Sequence, residues 1–125
     1  MSPSDEARIG EEEHPKILEE FGGEYSDPAI GLYVNSIGQF LVQTSETPNA
    51  RFTFTVLNSP VVNAFALPGG YVYLTRGILA LAGNEAELAG VIAHEIGHVT
   101  ARHSTQRQSS GTLTGIGSAA AGIIL

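Results

Sequence analysis

The chain has 125 residues, a formal net charge of −7 and no cysteine. That length is one domain with room for a core, and the acidity argues against nucleic acid as a partner. The lack of cysteine excludes disulfides and any thiolate-bound metal.

The thirteen carboxylates are unevenly spread: nine lie within residues 5–27 and none follows Glu95. An acidic run of this kind reads as the solvated face of a helix rather than a docking site for a basic partner. The first residues contain neither the basic nor the apolar region of a signal peptide.

In chain order, residues 4–20 read as a helix capped by Ser4 or Asp5, with Ile9, Ile17, Leu18 and Phe21 as a narrow apolar stripe. Pro15 predicts a break or kink near His14, which itself reads as a surface residue. Gly22-Gly23 ends the element. Asp27-Pro28 opens a second helix, Asp27 as cap and Pro28 at the first helical position. Ile30, Tyr33, Val34, Ile37, Phe40 and Leu41 recur at steps of three and four and predict one buried face. This helix stops before Pro48-Asn49. Residues 51–57 are rich in β-branched and aromatic types and predict a strand. Residues 61–67 are partly extended and end at Pro68-Gly69-Gly70, and residues 71–75 form another strand. A short helix spans 77–82.

The next helix runs from about Asn84 to at least Arg102. Gly90, Ala93 and Gly97 share one side, which predicts close approach of another backbone. Leu88, Ile92, Ile96 and Val99 cover the other side, so the helix is expected to be buried. Ser109-Ser110-Gly111 reads as a linker. Residues 112–125 are small and apolar but too short to span a bilayer, which takes about 20 apolar residues. They are expected to form a core helix, the start of something longer, or a surface for self-association.

The chemistry concentrates in His94-Glu95-Ile96-Gly97-His98. Residues four apart share a helix face about 6 Å apart, so the two imidazoles can bind one Zn²⁺ at about 2.0–2.1 Å each. Glu95 lies about 100° round the helix, where it can take a proton from water. A catalytic zinc site has three protein ligands, and the third is hard to place here. The metzincin spacing puts Ser104 where a histidine is needed. His103 falls on the opposite face. Glu87 is about 10 Å along the axis, Glu85 is distant and on the wrong side, and no carboxylate follows Glu95. Either the chain is a fragment, which is the expectation, or the third ligand is water, a group from a neighbouring molecule or a less usual side chain.

Asn63-Ala64-Phe65-Ala66-Leu67-Pro68-Gly69-Gly70, Asn84-Glu85-Ala86-Glu87-Leu88, the histidine motif and Ala101-Arg102-His103 together resemble peptidase family M48. These are gluzincin metalloproteases, and the similarity is closest to the BepA-like branch. The resemblance implies a zinc metalloendopeptidase with one zinc per chain, His94 and His98 as ligands and Glu95 as general base. It also implies a third ligand, a glutamate on a later helix, that this sequence does not contain. It implies an extracytoplasmic bacterial location, in the periplasm or at a membrane face, with misfolded envelope proteins as substrates. Asn63, Ala64, Phe65, Gly69 and Gly70 could hold an extended peptide at a strand edge, or form an ordinary hairpin.

The expected fold is α+β, with helices around a small mixed or antiparallel sheet and a buried active-site helix. The chain is read as a single domain, the N-terminal part of a peptidase domain: helical 1–48, strands 49–75, active-site helix 84–108 and apolar tail 112–125. A competing reading is a zinc-binding or peptide-binding module without turnover, since a third ligand is lacking.

Overall fold

The computed structural model describes residues 2–106. The linker at Ser109-Ser110-Gly111, the last residues of the expected 84–108 helix, and the apolar stretch 112–125 with its proposed self-association lie outside the described residues. The elements run α1 (Pro3–Glu20), α2 (Pro28–Gln43), β1 (Thr53–Leu57), β2 (Ala64–Leu67), β3 (Tyr71–Thr75), α3 (Arg76–Leu81) and α4 (Glu85–Gln106). The fold is α+β with a mixed sheet.

Helix α1 starts earlier than Ser4 or Asp5 would place it. Ser2 is the cap: its hydroxyl accepts from the Asp5 N–H at 3.1 Å, and the Asp5 carboxylate accepts from the Ser2 N–H at 3.2 Å. This reciprocal pair, with Pro3 at the first helical position, outcompetes the later candidates. The hydrogen bonds from Ser2 hold the Asp5 carboxyl below its ordinary value. Of the break or kink expected at Pro15, the break does not occur: α1 runs through it as one helix. Proline removes the bond to the Glu11 carbonyl, but Glu11 and Pro15 are both exposed, so water can satisfy that group. His14 is not a free surface residue. Its Nδ1 lies 2.7 Å from the Tyr73 hydroxyl, and its ring centroid is 5.2 Å from that of Tyr71. Burial pushes the pKa of the Tyr73 hydroxyl up.

Helix α2 is capped as its sequence predicts, with Asp27 Oδ1 accepting from the Ala29 and Ile30 N–H groups at 3.1 and 3.4 Å. Ile30, Val34, Ile37 and Leu41 pack on the core as the spacing predicts, but Tyr33 and Phe40 do not, and Gly38 and Val42 join the face instead. Val34, Gly38 and Val42 point inward, while Phe40 is 63% exposed and Tyr33 44%. The cause is Gly38, which lies so close to β1 that a Cβ there would stand 2.5 Å from the Phe54 ring. Phe40, two residues on and about 200° round the helix, therefore faces solvent.

The sheet order is β1-β3-β2, with β1 parallel and β2 antiparallel to β3. Pro68-Gly69-Gly70 closes the β2–β3 hairpin; φ is +89° at Gly69 and +81° at Gly70, a region that only glycine enters without strain. Alternate residues feed two cores, as a strand's twofold period requires. Phe54, Val56, Ala64, Ala66, Val72 and Leu74 face α2 and α4. Leu57, Phe65, Leu67 and Tyr73 face α1 and Ile17. With both faces covered, the strands read as nearly continuous apolar runs. Among the described residues, no helix is long and apolar enough to cross a membrane.

Replacing Gly38 by leucine should overpack the α2–β1 contact and lower stability by about 1–3 kcal/mol. A fall in the urea midpoint with an unchanged denaturant slope checks this.

Candidate active site

The site is carried by α4, and the start of that helix is well specified. Asn84 Oδ1 accepts from the Glu87 N–H at 2.9 Å, and Glu87 Oε1 reaches back to the Gly83 N–H at 2.6 Å. Glu85 and Glu87 place negative charge in the first turn, where the helix dipole favours it. The Tyr33 hydroxyl donates to Glu85 Oε1 at 2.9 Å, tying the start of α4 to α2. That hydrogen bond to a carboxylate raises the Tyr33 pKa.

Leu88, Ile92 and Ile96 are buried against the sheet and α2. They recur every four residues and set the rotation of the helix. His94 and His98 fall at the margin of the buried face: the His94 side chain is 53% exposed and His98 is half-buried. Their ring centroids are 4.5 Å apart and the planes nearly perpendicular, at 82°. Glu95 turns inward and is fully buried. Its Oε2 is 3.6 Å from His94 Nδ1, an ion pair only when that imidazole is protonated. The motif thus folds as its spacing predicts, with two imidazoles together on one side and the carboxylate beside them.

Among the described residues α4 is buried on one side, where the sequence predicts burial nearly all round. Gly90, Ala93 and Gly97 are exposed, and apart from the adjoining residues and backbone of the helix itself no atom among the described residues lies within 4 Å of a Cβ built at Gly90 or Gly97. A groove of roughly 490 Å³ runs along this side, between Leu41, Ser45 and Glu46 of the α2 end and Ala93, Gly97 and Ala101.

The two imidazoles fit a pair of zinc ligands in donor type and in placement on adjacent turns. Among the described residues, no group of three or more His, Asp or Glu side chains converges on a single point.

The other sequence-predicted residues lie in the β2–β3 hairpin. Ala64 and Phe65 are buried, so their side chains belong to the two cores. The Thr75 N–H donates to the Asn63 carbonyl at 3.1 Å. In an antiparallel ladder such pairs alternate. With Ala64 opposite Leu74, Phe65 opposite Tyr73 and Ala66 opposite Val72, the main chains of Asn63 and Phe65 face β3. Those of Ala64 and Ala66 face outward from the sheet. The five-residue set thus omits Ala66, which two-residue alternation from Ala64 could have found. Gly69 and Gly70 form the turn and do not join the strand edge.

A helix carrying H-E-x-x-H, packed on a small mixed sheet, sets the metallopeptidases as the class for comparison. The chain belongs to peptidase family M48, whose family model matches residues 29–124. It is 40% identical over 96 residues to the β-barrel assembly-enhancing protease of Escherichia coli K12, covering 74% of this chain and 20% of that protein. It is 44% identical over 78 residues to a putative β-barrel assembly-enhancing protease of Vibrio cholerae, covering 62% of this chain and 16% of the relative. The mitochondrial metalloendopeptidase OMA1 of Schizosaccharomyces pombe is 33% identical over 104 residues, covering 82% of this chain and 31% of the relative. The chain therefore spans between 16% and 31% of the length of these relatives.

Asn84→Ala should cost about 1 kcal/mol through loss of the cap, whereas Asn84→Asp should be nearly neutral. Thermal unfolding of the two variants side by side checks this.

Proposed function

We propose that the chain carries the nucleophile-activating part of a zinc metalloendopeptidase. The observation that supports this most directly is the paired imidazoles of His94 and His98 beside the buried Glu95, within a stretch that matches a peptidase family. His94 and His98 would hold one zinc ion per chain. Zinc, when bound, acidifies water and polarises a carbonyl oxygen. Glu95 is the general base: it takes a proton from the attacking water and passes it to the leaving amine. Its burial keeps bulk water from competing for that proton.

The outer strand β2 supports a polypeptide substrate. The outward main chain of Ala64 and Ala66 can pair with an extended peptide, which recognises backbone rather than sequence. Asn63 and Phe65 bind the strand to β3, and Gly69 and Gly70 close the turn at its far end. The names of the bacterial relatives fit a role in envelope protein quality control, in the periplasm or at an extracytoplasmic membrane face, with misfolded envelope proteins as substrates.

A second reading is a zinc-binding or peptide-binding module without turnover. It is favoured by the lack, among the described residues, of a third side chain converging on the two imidazoles.

Glu95→Gln in the full-length natural protein should lower casein hydrolysis by about 10²–10⁴-fold while zinc content by atomic absorption is kept. Undiminished hydrolysis would overturn the peptidase assignment. On the 125-residue chain itself, stoichiometric zinc without cleavage supports the module, and robust cleavage refutes it. His98→Ala should abolish stoichiometric zinc in either case.

A further inference from the structure

Thr75 ends β3 and is fully buried. It also caps α3, so its carbonyl is committed to the first bond of that helix. Opposite it in the ladder stands Asn63, whose N–H would otherwise seek that carbonyl. The Thr75 hydroxyl takes the carbonyl's place: Oγ1 accepts from the Asn63 N–H and from the Ile78 N–H, each at 3.2 Å. The same Oγ1 lies against the carbonyl oxygens of Val61 and Asn63, and its single proton serves one of them at a time. The clamp continues outward through Gly77 N–H to the Ser59 carbonyl at 3.1 Å and Arg76 Nε to Asn58 Oδ1 at 2.8 Å. One hydroxyl thus joins three pieces of chain: the end of β3, the first turn of α3 and the segment entering β2.

What it holds is the start of the outer strand. The carboxamide oxygen of Asn63 is buried and has no hydrogen-bond partner among the described residues. Such an atom is costly unless a ligand or water supplies a donor. Beside it begin the outward main-chain groups of Ala64 and Ala66.

We propose that Thr75 is a positioning residue for polypeptide binding. Its hydroxyl fixes the register of β2, and with it the Asn63 carboxamide and the Ala64 and Ala66 main chain, for pairing with an extended peptide. This rests on the reading of β2 as the substrate strand. A slip of one residue would exchange inward and outward groups along the whole strand, so the anchor matters more than a single hydrogen bond elsewhere.

The test is a series at Thr75 in the full-length natural protein carrying Glu95→Gln, so that binding is read without turnover. Affinity for a fluorescein-labelled casein peptide is measured by anisotropy for Thr75→Ser, Thr75→Cys and Thr75→Val. Serine keeps the hydroxyl and should bind as the parent does. Cysteine should bind more weakly, and valine about tenfold more weakly, in the order of hydrogen-bonding capacity and with zinc content constant. Equal affinities across the series overturn the proposal. If the valine variant does not fold, the serine–cysteine comparison decides: equal affinities overturn the proposal, and weaker binding by cysteine supports it. Casein hydrolysis by the Glu95 parent, run alongside, reports separately on the peptidase reading.

Discussion

The stripe Leu88, Ile92 and Ile96 holds α4 on the sheet, and the geometry of the site follows from it. Each of these side chains contributes about 1.5–3 kcal/mol by leaving water. A helix turned by one residue, about 100°, would drive polar groups into the core and withdraw this stripe. With the rotation settled, His94 and His98 have no choice but the margin of the interface, one open to solvent and the other half covered. Glu95 is carried inward by the same rotation. A buried carboxylate opposes folding on its own; the apolar stripe offsets that cost, so the helix tolerates Glu95 in the interior.

The sheet plays the complementary part. β3 is central, parallel to one neighbour and antiparallel to the other, and its two faces serve separate cores. The α2–α4 core fixes the helix that bears the imidazoles. The α1 core, with Phe65, Tyr73 and the His14 contact, fixes the hairpin from behind. Helix α1 lies entirely ahead of the family-matched residues 29–124, yet it packs on the hairpin that those residues form. The two candidate elements, helix and outer strand, are thus held by different packing layers that meet in β3.

Much of this was legible from residue types. The α2 cap, the start of α4 at Asn84, the glycine turn at 69–70 and the shared face of His94 and His98 each follow from a local rule that no distant contact disturbs. The misses have tertiary causes. Phe40 faces out because Gly38 is needed against Phe54, a contact no helical pattern encodes. Pro15 leaves α1 unbroken because the carbonyl it orphans is on the wet side. His14 meets Tyr73 across 59 positions of sequence, and the parallel pairing of β1 with β3 is equally non-local. Thr75 looked like any strand threonine until it proved to be a helix cap as well. On the Gly90–Gly97 side of α4 the small residues signal a close approach that no described residue makes.

The sheet order also bears on how the molecule assembles. The β2–β3 hairpin closes through three residues, whereas pairing β1 with β3 joins Thr53 to Tyr71, a separation of 71 − 53 = 18 positions. Closure entropy rises by about 0.6 kcal/mol per doubling of loop length, and parallel pairing gains slightly less per residue. The hairpin is therefore the cheaper unit to form, and its alignment can be decided by its own turn and its own threonine anchor before β1 docks. The outer edge of the sheet is thus encoded within some fifteen consecutive residues, insulated from errors made elsewhere in the chain.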